Sequence, residues 1–62
     1  MAMASEETRN VLKLFNMAIT NLEEAIDDRA PMDVVMKWDH EVADRTREVL
    51  ALVDRLRSRR IA

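Results

Sequence analysis

His40 is the single histidine of the chain and sits in the stretch WDHEVAD, beside Asp39, Glu41 and Asp44. Residues four apart share a helix face, so His40 and Asp44 can present two ligands to a cation. A structural or catalytic site takes three or four. The Glu-x-x-His spacing of di-iron bundles fails as well, because Lys37 stands where the glutamate belongs. No cysteine supplies a thiolate or a disulfide. The expectation is a solvated histidine, with no metal, no cofactor and no catalytic residue.

The second chemical feature is the stretch RLRSRRIA, which sets Arg55, Arg57, Arg59 and Arg60 within six residues. Arginine forks chelate phosphate well, and Arg9 and Lys13 would join them if the chain folds back on itself. A net charge of −2, a pI near 5.3 and only two aromatics, Phe15 and Trp38, weigh against a nucleic-acid surface. Arg45 is the third feature, because it falls among apolar residues. Its stem can pack while the guanidinium reaches out to Glu41 or Glu48. The sharper alternative is a polar notch of Arg45, Asn16 and Thr46 that fixes the register of the core, with Phe15 adding a cation–π contact. Trp38 reads as core near Leu22. The methionines Met17, Met32 and Met36 suit an adaptable surface, and Met17 with Leu14 is the preferred candidate for contact with a partner.

The elements that must position these groups are helical. The chain has 62 residues, no glycine, one proline and 35% charged residues, and no segment alternates as a strand does. Ser5 can cap a first helix, with Glu6 and Glu7 at its positive end; Thr8 stands where a capping box would place glutamate. Leu12, Phe15, Ile19, Leu22 and Ile26 recur at steps of three and four. Pro31 has no N–H and biases Ala30 away from the helical region, so it breaks the chain. With no glycine for a left-handed stop, the proline is expected to do the breaking alone. The resulting division is a tail over 1–5, helix 1 over 6–29, helix 2 over 31–59 and a tail over 60–62. All belong to one hairpin domain. The seam of helix 2 is Val35, Trp38, Val42, Arg45, Val49, Leu52 and Leu56. A short connection favours an antiparallel pair, with Trp38 near Leu22, Val42 near Ile19, Arg45 near Phe15 and Val49 near Leu12.

Each helix carries a second apolar stripe: Val11, Leu14, Ala18 and Ala25 on helix 1, and Ala43, Thr46, Leu50 and Val53 on helix 2. One partner needs one stripe, and two neighbours need a broader face. A chain this short also buries too little to be comfortably stable alone. The expected fold is therefore an all-α two-helix hairpin that dimerises into a four-helix bundle. Its dimer core is Leu12, Phe15, Ile19, Leu22, Ile26, Val35, Trp38, Val42, Val49, Leu52 and Leu56, and the second stripe is a further interface. Charge points the same way. Residues 1–44 hold ten acids and four bases, whereas residues 45–62 hold six bases and two acids. An antiparallel dimer of hairpins lays each acidic turn beside a partner's basic tail, which steers orientation more than it adds stability.

Two helices, a tight turn and about sixty residues resemble the layout of the Rop family of plasmid RNA-binding proteins. That likeness is architectural, and no binding residue is carried over. The small subunit of exonuclease VII is similar in having a short hairpin with a proline near its turn; the helix 1 spacing and the absent turn glycine differ. The start MAMASEETRN lacks a cationic and apolar leader, and VLALV is far too short to span a membrane. The expectation is a cytoplasmic, non-catalytic dimer of bacterial or phage type that binds another protein as regulator, adaptor or inhibitor. The alternatives are a nucleic-acid-binding hairpin using Arg9, Lys13, Arg55, Arg57, Arg59 and Arg60, and an accessory subunit of a larger enzyme.

Overall fold

Ser5 opens the first helix as its spacing requires. In the computed structural model, which describes residues 5–61 and side chains as far as Arg59, Thr8 N–H donates to Ser5 Oγ at 3.1 Å. The Ser5 hydroxyl in turn donates to Thr8 Oγ1 at 3.0 Å, a side-chain pair that holds the cap in place without the return bond to the Ser5 backbone N–H that a capping-box glutamate makes. Helix α1 spans Glu6–Asp27 and helix α2 spans Met32–Ile61. They pack against each other as a hairpin, and no strand occurs among the described residues. α1 stops two residues before the expected Arg29. α2 runs through positions 60 and 61, which had been expected to form a tail. Residues 1–4 of the expected N-terminal tail, Ala62 and the Arg60 side chain lie outside the described residues.

The break between the helices is made differently from the sequence expectation. Arg29 adopts φ 55°, the left-handed conformation, without being glycine. Ala30 N–H donates to Ala25 O at 2.9 Å and Arg29 N–H to Ile26 O at 3.1 Å. This is the bond pair of a Schellman stop, with Arg29 in the position that glycine usually fills. A left-handed residue carrying a Cβ costs about 1–2 kcal/mol. The stop is held by the bond from Ala30 N–H to Ala25 O, and Pro31 follows at once. Pro31 then sits just before α2. Its carbonyl accepts from Val34 and Val35 N–H at 3.0 and 3.2 Å, a place where its missing donor goes unnoticed. Stop and proline share the work.

The seam between α1 and α2 uses Val11, Phe15, Ala18, Leu22 and Ala25 from α1. Ala18 and Ala25 are buried and the other three half-buried. Leu12, Ile19 and Ile26, which the spacing had assigned to this seam, stand 42–56% exposed. The expected line of α1 is split: Phe15 and Leu22 stay in the seam, while Val11, Ala18 and Ala25 take the places expected of Leu12, Ile19 and Ile26. Small alanines let the backbones approach, and in that approach Leu52 of α2 becomes the one large side chain that is buried among the described residues, at 3% exposure. On α2 the expected line holds better: Val35, Trp38, Val42, Arg45 and Val49 are half-buried, and only Leu56 is exposed. The outcome is a rod, 47 × 21 × 13 Å, with a radius of gyration of 14.6 Å. A compact chain of this length has about 10.6 Å.

Two stability outcomes follow. Arg29→Gly relieves the left-handed strain and should stabilise the protein by about 1 kcal/mol, read as a higher melting temperature at fixed protein concentration. Ala18→Leu overfills the seam and should cost about 1–3 kcal/mol, whereas Ala43→Leu, on an exposed position, should stay within about 0.5 kcal/mol in the same melt.

Candidate interaction surface

Two flanks border the seam, and they differ in chemistry. At 3.6 residues per turn, Leu14, Met17 and Asn21 fall on one side of the α1 seam, and Leu12, Ile19 and Ile26 on the other. The first side meets Trp38, Glu41 and Arg45 of α2, with which Leu14, Met17, Ala18 and Asn21 line a shallow groove of about 120 Å³. A second hollow of about 220 Å³ lies on α1 against Asn16, Met17, Thr20 and Asn21. Met17 and Leu14 are exposed, as a partner contact requires. Trp38 is half-buried, and Lys37 Nζ stands 5.2 Å from its ring centroid, within the range of a cation–π attraction.

Arg45 settles on the edge of that groove. Its guanidinium donates to Glu48 Oε1 at 2.6 Å and lies 3.3 Å from Glu41 Oε2. The Glu48 hydrogen bond raises the Arg45 pKa; partial desolvation opposes it and Glu41 adds to it. The polar notch does not assemble. Thr46 Oγ1 instead donates to its own helix, at Val42 O, 2.7 Å away, and Asn16 is exposed. The cation–π pair of Arg45 with Phe15 gives way to that of Lys37 with Trp38. Local partners on α2 satisfy the arginine before the opposite helix can.

The other flank is apolar along its length. Leu12, Phe15, Ile19, Leu22 and Ile26 of α1 run beside Val35, Val42, Val49 and Val53 of α2. Each is half-buried or exposed. Of the second stripe, Ala18 is buried, Val11, Thr46 and Val53 are half-buried, and Leu14, Ala43 and Leu50 are exposed. Met32, Met36 and Leu50 project from the outer side of α2. The molecule exposes 5264 Å², against about 4100 Å² for a compact monomer of its mass.

The basic end is dispersed. Arg9, Lys13, Arg55, Arg57 and Arg59 are all exposed. Steps of two along α2 turn Arg57 away from the side that Arg55 and Arg59 share. Arg55 reaches Glu7 across the hairpin at 3.3 Å, and Arg57 pairs with Asp54 at 3.7 Å. In the first half of α2, His40 Nε2 stands 3.7 Å from Asp44, which also pairs with Arg47. No group of three potential ligands among His, Cys, Asp and Glu gathers among the described residues, and no described helix is long and apolar enough to cross a membrane. Compared with family models, with curated proteins and with solved structures, the chain matches none.

Because Arg45 is held by neighbours on its own helix, Arg45→Met should leave the melting temperature close to the parent's and make it less sensitive to salt. Thermal melts at low and high ionic strength test this. Loss of the cooperative transition would mean that Arg45 carries the core after all.

Proposed function

We propose that this chain is a small, non-catalytic protein-interaction module of the cytoplasm that works as a homodimeric four-helix bundle. It would act as a regulator, adaptor or inhibitor of another protein. One observation carries the reading: among the described residues, Leu52 is the one large apolar side chain that is buried, while nine others are 40% or more exposed. Leu12, Ile19 and Ile26 stand exposed in a line along one flank, and helices with broad apolar faces are those that pack between two neighbours. The non-catalytic part draws on the shape of the surface. Hollows of about 120 and 220 Å³ fall below the roughly 300–1,000 Å³ of ligand pockets. Protein is favoured over nucleic acid as the outside partner because Arg55 and Arg57 already pair with carboxylates and Arg57 faces away from Arg55 and Arg59.

Light scattering and thermal melts over a dilution series test the reading together. The expected mass is twice the 7.2 kDa of the chain, and the melting temperature should rise with concentration, as mass action requires. A lone chain that melts cooperatively at every concentration overturns the dimer. A disordered monomer instead favours an accessory subunit that completes its bundle with a larger chain. Salt-sensitive retention on RNA or DNA, lost in the double variant Arg59→Ala with Arg60→Ala, would promote the nucleic-acid alternative.

A further inference from the structure

We infer that the second copy docks on the flank bearing Leu12, Ile19 and Ile26, related by a two-fold axis that crosses the hairpin at Ile19 and Val42, so that the two turns lie at opposite ends. The inference rests on the homodimer reading and adds to it the face, the register and the orientation. Three observations carry it.

The first is spacing. Leu12, Ile19 and Ile26 recur every seven residues on α1, and Val35, Val42 and Val49 do so on α2. A line of three reversed about its middle falls on itself. Ile19 then meets its own copy, Leu12 meets Ile26, Val42 meets its own copy and Val35 meets Val49. An isologous interface needs this self-complementarity.

The second is that both centres stand at one height. Glu7 faces Arg55 across the hairpin. Twelve residues inward from that pair along each helix, Ile19 comes level with Ala43, the neighbour of Val42. A single axis therefore serves both helices. The face approaches the size required: 22 residues of α1 at about 1.5 Å each, beside a width of two helices of about 10 Å, give about 650 Å² per protomer. A stable interface takes about 800 Å² per partner, and helix α2 extends past the end of α1 to add to it.

Charge decides between the two possible axes. An axis along the helices sets turn on turn, bringing Asp27, Asp28 and Asp33 against their own copies. The crossing axis sets that acidic turn alongside the partner's Arg57, which lies on this flank of α2 and is exposed despite its neighbour Asp54. Like-charge juxtaposition suppresses the first arrangement and complementarity favours the second. The groove at Trp38, Glu41 and Arg45 lies on the opposite flank and stays open in this dimer.

The chain contains no cysteine, so single-cysteine variants report the geometry directly. At a concentration where light scattering shows the dimer, mild oxidation should link Ile19→Cys to itself, and Val42→Cys likewise, with at least a tenfold higher yield than Met17→Cys on the groove side. Mixing Leu12→Cys with Ile26→Cys should give the mixed disulfide in preference to either homodimer, a check that stands even if Ile19→Cys folds poorly. Preferential linking through Met17→Cys would overturn the face. Linking of Ile19→Cys only when mixed with Val42→Cys would overturn the orientation, because an axis along the helices pairs those two positions. A monomeric mass before oxidation would instead overturn the homodimer reading itself.

Discussion

Everything in this structure depends on a limit of geometry: two helices in contact can bury one line of side chains each. α1 has two apolar lines to offer and a single neighbour. The contact goes to the line that contains Ala18 and Ala25, because small residues let the helix axes close and put Leu52 in a sealed position. Its consequence is written over the rest of the surface. Leu12, Ile19 and Ile26 are left outside, the rod stays long and thin, and the surface exceeds that of a compact chain of this mass.

The turn obeys the same economy of means. Four residues, 28–31, reverse the chain without a glycine. Arg29 takes the strained conformation, Ala30 closes the Schellman bond to Ala25, and Pro31 prevents α1 from running on. Ala25 thus serves twice, as seam residue and as acceptor of the stop. A larger side chain there would press on both the opposite helix and the turn, so the position where the chain reverses and the position where the helices touch most closely are coupled.

The start of α1, the position of the turn and the hairpin pairing were legible in the sequence because each has a local cause: Ser5 as cap, Pro31 beside the break, heptad spacing on both helices; the ends of the two helices were not. The choice of inward line on α1 was not. Spacing is identical for Leu12, Ile19 and Ile26 and for Val11, Ala18 and Ala25, and a reading by bulk favours the first set. Close packing favours the second, and that is a property of the pair of helices rather than of either one. The left-handed Arg29 was hidden for a similar reason. Glycine is the residue that marks such a stop, and nothing in an arginine's type announces it. The notch around Arg45 failed because partners three and four residues away on the same helix, Glu48 and Glu41, lie within easy reach, as does the Val42 carbonyl for Thr46.

Energetics give the exposed line its meaning. Burying a leucine or isoleucine side chain is worth roughly 2 kcal/mol, and alanine far less. A chain whose hairpin were its final state would gain by turning Leu12, Ile19 and Ile26 inward and Ala18 and Ala25 outward. It does the reverse, with the bulky line on the flank beside Val35, Val42 and Val49. Acids gather at the turn end of the hairpin, and Arg57 stands on this flank at the other end. A surface of this kind withholds its largest apolar side chains from the hairpin and offers them, with a direction encoded in the charges at its ends, to a second layer of helices. The alanine seam is then the compromise by which a 62-residue chain keeps its better half for assembly.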